Sequence, residues 1–407
     1  MSSNPATGYV EFLRTNGRVI AFGFLMGFAS TVGQSYFVGI FSPSIEATFN
    51  LSHSEWGTIY MVGTLLSAAL LTYTGGWIDR INLKPYALMV CGGLLAACLA
   101  TALAPTVWFL VFAIFFLRHM GQGLATHTSL TGMVKIFREN RGKAVAVAAL
   151  GFPFGRAIAP VAAVAAIAAI GWRETFLGCA ALVLLLILPA TMFLLRAEDG
   201  AIPEGSSTDG DKPEVESTLG EALRGVTFYL LVPGFVATAF FDTALGFHLL
   251  AIAKLKNWSA EWVTAGYAAH AGASLLFSIW TGSLVDRYGA VRLMPLSMLP
   301  YIVGLLVLGF VDHALGAWVY LAMFGVGFGM KSTLIPVALS DLYGTKFVGA
   351  IRSFVATLSV FSTALGPPIL GWALDISAPV WAMTWIGVAY FALSGVMLLF
   401  IRKPAAS

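Results

Sequence analysis

Four ionisable side chains lie deep inside long apolar stretches of the chain: Arg118, Arg156, Lys331 and Asp242. A charge inside a lipid bilayer is costly unless it faces a cavity or a partner, so each of these residues is a candidate for function. Three cations stand against one acid, and a bound anion can supply the missing counter-charge. Arginine suits this role because its guanidinium fork binds a carboxylate or phosphate with two parallel hydrogen bonds.

Internal pairing is the alternative explanation for the same residues. Arg118 or Arg156 could pair with Asp242, and Lys331 could donate to backbone carbonyls. Because one acid cannot neutralise three cations, the sequence favours an anionic ligand.

Neutral polar and aromatic side chains in similar stretches are secondary candidates. Gln34 and His270 could each bond a carboxylate or a neighbouring helix, and Tyr36 and Tyr60 could line a pocket or only pack in the interior.

Two histidines in the stretch of Arg118, namely His119 and His127, are left without a role. Adjacent residues of an α-helix point about 100° apart, so Arg118 and His119 cannot both face one centre. The sequence shows no cluster of metal ligands, no phosphate-binding Gly-x4-Gly-Lys-Ser/Thr loop and no catalytic triad pattern. We therefore expect no cofactor, no metal and no enzymatic activity.

The composition places these residues in a polytopic membrane protein. Of the 407 residues, 58% are hydrophobic and 11% are charged, whereas a soluble domain carries about 25% charge. The mean hydropathy is +0.84. Disorder requires the opposite composition, and three cysteines in apolar stretches (Cys91, Cys98 and Cys179) do not form a secreted disulfide scaffold.

Twelve apolar stretches are about long enough to cross a bilayer as helices. The first, 19–41, is followed after about 15 residues by the second, so we interpret it as a span and not as a removed signal peptide. The fold class is therefore an all-α membrane protein with twelve transmembrane helices. The predicted cores are 19–41, 56–78, 86–104, 107–131, 144–169, 175–195, 226–250, 262–285, 293–311, 317–338, 350–373 and 380–401.

A polar segment divides the spans into two groups of six. Residues 197–221 contain eight acids, one lysine and several Gly, Ser and Pro residues, which is typical of a flexible linker. An acidic binding tail is the alternative. We predict an N-terminal six-helix bundle over 1–196, a cytoplasmic linker over 197–224 and a C-terminal six-helix bundle over 225–407.

The basic residues outside the spans predict the orientation. Seventeen lie on the side of the N-terminus and three, Arg173, Lys254 and Lys256, on the other. This positive-inside bias predicts that both termini are cytoplasmic in a plasma (inner) membrane protein. The net charge of +3 therefore reflects membrane topology, and we do not interpret it as a sign of nucleic-acid binding. The seventeen are Arg14, Arg18, Arg80, Lys84, Lys135, Arg138, Arg141, Lys143, Arg196, Lys212, Arg224, Arg287, Arg292, Lys346, Arg352, Arg402 and Lys403.

An internal repeat marks the two halves. Gly75-Gly-Trp-Ile-Asp79-Arg80 follows the second predicted span, and Gly282-Ser-Leu-Val-Asp286-Arg287 follows the eighth, 207 residues later. Both copies read Gly-x-x-x-Asp-Arg at the cytoplasmic end of the second helix of a six-span half. In this the chain resembles the major facilitator superfamily over nearly its whole length; the second copy keeps the motif's later glycine as Gly289, and the first has Asn82 there.

The resemblance implies two pseudo-symmetric bundles that rock about a central site near the midplane. In that fold spans 1, 4, 7 and 10 line the centre with spans 5 and 11 beside them, so Arg118, Arg156 and Lys331 would grip an anion between the halves. For the loop copies we expect gating. The glycines would allow close helix approach, and the acids would accept from an arginine or a helix N-terminus. Anchoring of the inside face is the alternative. The gating candidates are Gly75, Asp79, Arg80, Gly282, Asp286 and Arg287.

The predicted function is secondary transport of a small organic anion, in particular a carboxylate, by a monomer. Span 4 carries Arg118-His-Met-Gly-Gln122-Gly, loosely like the family's span-4 arginine motif, and the cationic cavity is similar in kind to that of oxalate and monocarboxylate porters. The latter usually carry an arginine on span 8, where this chain offers His270. The alternative is a proton-driven drug or metabolite exporter. Arg156 opposes it, because antiporters usually have a small residue at that point of the span-5 motif.

Proton symport and anion exchange both stay open, and Asp242 is the candidate for coupling. In the empty carrier we expect the cations to keep Asp242 ionised and paired. An arriving anion competes for those cations, so Asp242 would take up a proton and move it in the same direction as the anion. A fixed structural counter-ion is the alternative role.

Overall fold

The structure, a computed structural model, describes residues 5–137, 140–196, 198–199, 218–344 and 348–401. These residues form helices and connecting turns and contain no strand. Helices suit a lipid environment because they satisfy every backbone hydrogen bond within one segment. Prolines inside several helices, Pro160, Pro233, Pro336, Pro367 and Pro368, are tolerated there because neighbouring groups in membrane bundles replace the lost bonds.

Twelve spans are present if the first, which is bent, is counted as one. The predicted fold class is thereby confirmed. The spans are Glu11–Gly33 with Ser35–Phe49 (span 1), His53–Asp79 (span 2), Leu83–Ala102 (span 3), Val107–Ile136 (span 4), Arg141–Ile170 (span 5), Trp172–Leu194 (span 6), Val226–Phe247 (span 7), Ala260–Tyr288 (span 8), Ala290–Phe310 (span 9), Leu315–Tyr343 (span 10), Val348–Asp375 (span 11) and Val380–Leu399 (span 12).

Span 1, predicted over 19–41, is interrupted inside that range. Its two parts meet at an angle of 47°. Gln34 lies at the break with an extended backbone, φ −80° and ψ 148°, and a short 3₁₀ stretch, Ser30–Gly33, precedes it. Serine, threonine and glycine are poor helix formers, and Ser30 bonds the carbonyl of Gly27 with its own hydroxyl at 2.7 Å. The local sequence therefore weakens the helix where it ends.

The chain divides into two compact units. Unit 1 comprises Met1–Asn50 and Ile59–Ser206, and unit 2 comprises Leu51–Thr58 and Ser207–Ser407. Most of the predicted linker, 197–224, lies outside the described residues. Its last part, Leu219–Arg224, forms a short helix. Thr218 and Glu221 start that helix with a reciprocal capping box, which satisfies two backbone donors.

The start of span 2, within Leu51–Thr58, is part of unit 2. The backbone N–H groups of His53 and Ser54 both donate to the carboxylate of Asp375, each at 2.9 Å. The Trp56 ring stacks on that of Phe247 with 5.7 Å between centroids. A carboxylate at a helix N-terminus satisfies otherwise unpaired N–H groups and complements the helix dipole. The last residue of span 11 therefore caps the first turn of span 2.

A neutral histidine lies beside this contact. His248 Nε2 donates to the carbonyl oxygen of Pro367 at 2.8 Å, and burial lowers the pKa of His248 to about 4. Close backbone approach accompanies it: a Cβ on Gly371 would lie 2.5 Å from the His53 carbonyl oxygen, and one on Gly57 would lie 2.6 Å from Pro367. Glycine at 57 and 371 is therefore what allows the helices to touch.

Candidate functional site

Arg118 binds the broken part of span 1 within unit 1. Its guanidinium Nη1 donates to the Gly33 carbonyl at 2.8 Å, and its Nε donates to Thr64 Oγ1 at 3.2 Å. The guanidinium carbon also lies 4.9 Å from the centre of the Tyr60 ring. The side chain is only 4% exposed. These partners satisfy a buried cation, and the guanidinium in turn supplies a hydrogen-bond donor to a carbonyl next to the helix break.

A stretch of π-helix begins at Arg118 and ends at Ala125. It widens span 4 where that span meets span 1. A Cβ on Gly33 would lie 2.5 Å from both the Gln122 nitrogen and the Leu117 carbonyl oxygen, and one on Gly121 would lie 2.8 Å from Gly33. The two spans therefore touch through backbone at two glycines, which brings the Gly33 carbonyl within reach of Arg118.

His119 faces span 2 as well. Its Nε2 lies 3.2 Å from Thr74 Oγ1 and its Nδ1 lies 3.4 Å from the Ser67 carbonyl oxygen. Both neighbours therefore contact span 2, Arg118 at Thr64 and His119 at Ser67 and Thr74.

Arg156 stacks on the second half of span 1. Its guanidinium carbon lies 4.7 Å from the centre of the Tyr36 ring, and both side chains are buried. Glycine at 155 allows span 5 to pack closely on span 1, because a Cβ at this position would collide with Thr31 Oγ1. Tyr36 lies two residues beyond Gln34, so the predicted residues Gln34, Tyr36 and Arg156 gather near the break.

Unit 2 contains a second polar cluster, on spans 7, 8 and 10. Lys331 Nζ donates to the Thr238 hydroxyl, which in turn donates to the Phe235 carbonyl at 2.9 Å. Asp242 is four residues beyond Thr238 on the same helix, and its Oδ1 lies 3.8 Å from His270 Nε2. Residues four apart share a helix face. The structure therefore brings together Lys331, Asp242 and His270, three of the residues predicted from the sequence.

Small residues position this second cluster. A Cβ on Gly325 would collide with the His270 carbonyl, and one on Gly329 would collide with that of Ser274. Span 10 therefore packs backbone to backbone on span 8, as small residues allow in membranes. This close contact holds His270 on the span that neighbours Lys331.

The two copies of the loop motif differ in their partners. Lys135 at the end of span 4 forms an ion pair with Asp79 at 3.1 Å and also donates to the Ile78 carbonyl. No described residue lies within ion-pair distance of Asp286, and Arg287 lies over the Tyr288 ring with 5.2 Å to its centre. The acid of the first copy thus accepts from a lysine, where an arginine or a helix N-terminus was expected.

The predicted close helix approach at the motif glycines was wrong. A Cβ on Gly75 would meet only Leu71 of its own helix, at 4.0 Å, and one on Gly282 would meet no atom within 4 Å among the described residues. The chain turns into a 3₁₀ stretch, Gly75–Asp79, directly after Thr74. Gly75 therefore lies at a change of helix type.

Sequence reasoning missed the hydroxyl partners of the cations. Thr64, Thr74 and Thr238 each accept from or lie beside a cation or imidazole, and each is fully or nearly fully buried. Threonine is common in spans because its hydroxyl can bond a carbonyl one turn back. Only the spatial neighbour distinguishes these threonines, and a single sequence does not reveal it.

Comparison with known proteins gives one family over most of the chain. The family model "Major Facilitator Superfamily" matches residues 23–367. The uncharacterized MFS-type transporter YbcL of Bacillus subtilis is 26% identical over 92% of this chain and 94% of its own length. Monocarboxylate transporter 1 of Rattus norvegicus is 24% identical over 87% of this chain and 77% of its own. A third relative, the probable galactarate/D-glucarate transporter GarP of Escherichia coli, is 28% identical over 46% of this chain and 45% of its own.

Solved structures agree on the fold. A bacterial homologue of the human lysosomal transporter Spinster matches with a TM-score of 0.71 and 16% identity, over 96% of this chain and 99% of that one. At this identity the likeness concerns the fold alone.

Replacing Arg118 by lysine tests its contacts at the helix break. A lysine keeps the charge but lacks the planar fork that reaches both Gly33 and Thr64. We expect Arg118→Lys to lower the stability of the purified protein by roughly 1–3 kcal/mol, since a buried acceptor loses its donor. Thr64→Val should cost less, because the Gly33 contact persists. Thermal unfolding in detergent measures both.

The matched control is Arg141→Lys, since Arg141 is exposed at the start of span 5. An Arg118→Lys protein that melts together with the parent and with this control would contradict the role of Arg118 at the break.

Proposed function

The chain belongs to the Major Facilitator Superfamily, and we propose that within it this protein is a secondary transporter of a small organic anion, in particular a carboxylate. Members of this superfamily are transporters and not enzymes. Alternating access of the two halves would carry the anion across the membrane, driven by proton symport or by exchange with another anion.

The excess of cations deep in the spans is the observation that carries the proposal. Arg118 and Arg156 lie in unit 1 and Lys331 in unit 2, whereas the spans offer one deep acid, Asp242. The partners of Arg118 described above are a carbonyl, a hydroxyl and a ring, none of which is anionic. A membrane protein that retains such cations gains most from them when an anion binds.

Arg156 and Lys331 are the cations best suited to the substrate. The Arg156 guanidinium lies over the Tyr36 ring near the break, and a guanidinium can bind a carboxylate with two parallel hydrogen bonds. An ammonium group carries three donors, and Lys331 uses one on Thr238. Arg118, in contrast, has its contacts at the helix break, so we propose that it positions the residues of the site and does not itself bind the substrate.

Two relatives support the substrate class. The names of monocarboxylate transporter 1 and of the galactarate/D-glucarate transporter both denote carboxylates. Those substrates belong to those proteins, and what they share with the proposal is the carboxylate group. Drug or metabolite efflux is the second candidate, because the span-4 arginine motif is also compatible with it.

The proposed function also includes an oligomeric state, a membrane, an orientation and a gate. We propose a monomer in the plasma (inner) membrane with both termini cytoplasmic, supported by the distribution of basic residues. We further propose that the Asp79–Lys135 ion pair takes part in gating, since it joins the loop motif to the end of span 4.

The anchoring role of the two cations is tested by binding. We expect Arg156→Gln and Lys331→Gln to fold and to lose carboxylate affinity by roughly thirty- to several-thousand-fold, because a buried charge contact contributes about 2–5 kcal/mol. Calorimetry on purified protein, with a panel of mono- and dicarboxylates and of neutral drugs, gives the affinities. Transport of the same labelled anions into proteoliposomes should be lost in parallel.

Exposed basic residues, replaced as Arg141→Gln and Lys254→Gln, are the matched controls and should bind as the parent does. Equal affinity in the parent and in both cation variants would overturn the anchoring role. Binding of the neutral drugs, without binding of any carboxylate in the panel, would favour the efflux function.

Coupling is tested at Asp242. With Lys331 and His270 beside it, Asp242 should be ionised in the empty carrier and take up a proton when an anion competes for those groups. In Asp242→Asn we expect anion-driven alkalinisation outside the vesicles to disappear while anion–anion exchange persists. Proton uptake that is retained in this variant would exclude Asp242 as the coupling residue. If the parent protein itself moves no protons, the carrier is an exchanger or a uniporter.

Gating is tested by a double-mutant cycle at Asp79 and Lys135. The Asp79 side chain is 69% exposed, so the pair is expected to contribute only about 0.2–1 kcal/mol. Asp79→Asn and Lys135→Gln should each raise cysteine labelling from the cytoplasmic side by about 1.4- to 5-fold, and the double variant should add nothing further. A shift of the same size in Asp286→Asn would assign the effect to loop charge and not to the ion pair.

A further inference from the structure

His119 is a buried imidazole that the proposed transport function does not use. It is 1% exposed and lies in the π-helical stretch of span 4. The Phe115 ring stacks on it at 5.8 Å between centroids with 19° between the planes. Its other contacts described above are with Ser67 and Thr74 of span 2.

The partner of Nδ1 fixes one proton on the ring. The Ser67 carbonyl oxygen lies 3.4 Å from Nδ1, and a carbonyl can only accept a hydrogen bond. Nδ1 must therefore carry a hydrogen. The state of the ring then depends on Nε2 alone.

The partner of Nε2 admits two states. Thr74 Oγ1 lies 3.2 Å from Nε2 and 3.1 Å from the Leu70 carbonyl oxygen. A hydroxyl has one hydrogen to donate. If Thr74 donates to Leu70, it can only accept from His119, so Nε2 is protonated and the ring is an imidazolium. If Thr74 donates to Nε2, the ring is neutral and Leu70 loses its bond to the hydroxyl.

We propose that His119 is a proton-binding site and that Thr74 exchanges its hydrogen bond between Leu70 and His119 with the proton. The two arrangements differ by one proton and one hydroxyl rotation, and neither requires the helices to move. The bond from an imidazolium is charge-assisted and stronger than the neutral bond. Proton uptake therefore tightens the contact between spans 2 and 4.

A proton on His119 can affect the loop motif because Thr74 lies directly before that motif. Thr74 is the last residue of the helix His53–Thr74, and the 3₁₀ stretch Gly75–Asp79 with the loop motif follows it directly. A bond that changes at Thr74 acts at the joint between these two segments. The protonated state holds that joint against span 4, so the loop motif becomes sensitive to protons.

The surroundings do not supply a carboxylate to the imidazole. No described acid lies within ion-pair distance of His119, so a proton there is stabilised by Ser67, Thr74 and the face of Phe115. The titratable or charged groups on the spans packed against the π-helical stretch, together with those of span 4 itself, are Arg118, His127 and Lys135 on span 4, Glu11, Arg14, Arg18, Tyr36 and Glu46 on span 1, His53, Glu55, Tyr60, Tyr73 and Asp79 on span 2, and Lys84, Tyr86, Cys91 and Cys98 on span 3.

This site is independent of the proposed anion site. His119 and Thr74 belong to unit 1, whereas the proposed coupling residue Asp242 belongs to unit 2. The titration of His119 therefore tests the proton site independently of the identity of the substrate.

Nitrogen NMR of the full-length protein in nanodiscs, labelled at histidine, tests the proposal directly. The His119 signals, assigned by their absence in His119→Gln, should change with pH from a doubly protonated ring to the neutral form with hydrogen on Nδ1. Thr74→Val removes the hydroxyl and should lower the midpoint of this titration by about one pH unit, the difference between a charge-assisted and a neutral hydrogen bond. Thr74→Ser should restore it.

The matched control is Thr72→Val. Thr72 lies on the same helix, and its hydroxyl donates to the Ala69 carbonyl at 2.7 Å. We expect no change of the His119 midpoint in this variant. A His119 ring that keeps one form over the whole accessible pH range, or an equal shift in Thr72→Val and Thr74→Val, would overturn the proposal.

Amide hydrogen exchange reports the consequence at the joint. After correction for intrinsic rates, residues 75–79 of the parent should be better protected below the His119 midpoint than above it. In Thr74→Val this difference should shrink, which keeps the test open even if His119→Gln does not fold. Protection that is independent of pH in the parent would refute the link between the proton and the loop motif.

Discussion

The hydrogen bond from Arg118 to the Gly33 carbonyl is the contact on which the interior of unit 1 depends. A helix that breaks inside a membrane leaves polar backbone groups where water cannot reach them, and each needs a partner. Arg118 supplies one, and the guanidinium is itself satisfied by Thr64 and the Tyr60 ring. The break in turn sets the direction of the segment that carries Gln34 and Tyr36. One buried cation thus allows an irregular span to exist and positions the residues that gather around Arg156.

The two units handle charge differently. In unit 2 Lys331 and His270 accompany the acid Asp242, and the hydroxyl of Thr238 accepts from Lys331. In unit 1 the arginines lie on aromatic rings. A ring face attracts a cation without neutralising it. Unit 1 therefore retains positive character beside its rings, whereas unit 2 holds an acid beside its lysine.

Much of the fold could be predicted from the sequence, because span length and apolarity follow directly from the thickness of the bilayer. The break at Gln34 and the π-helical stretch after Arg118 could not, because both leave hydropathy unchanged. For the site, the spans that carry Arg118, Arg156, Lys331 and Asp242 were evident from charge in apolar sequence. Their partners were not, since Thr64 and Thr238 resemble any other threonine in a span. The pairing of Asp242 with His270 needs the packing of spans 7 and 8, which a single sequence does not encode.

The π-helical stretch of span 4 also bears on how this chain is aligned with its relatives. A π-helix uses more residues per turn than an α-helix, so the residues beyond Ala125 are rotated relative to their position in a regular span of the same length. An alignment without a gap to a relative whose fourth span is regular would assign His127 and Lys135 to the wrong face. Residue correspondences along this span are reliable only when the gap falls between Arg118 and Ala125, which ties any transfer of roles from distant homologues to local helix geometry.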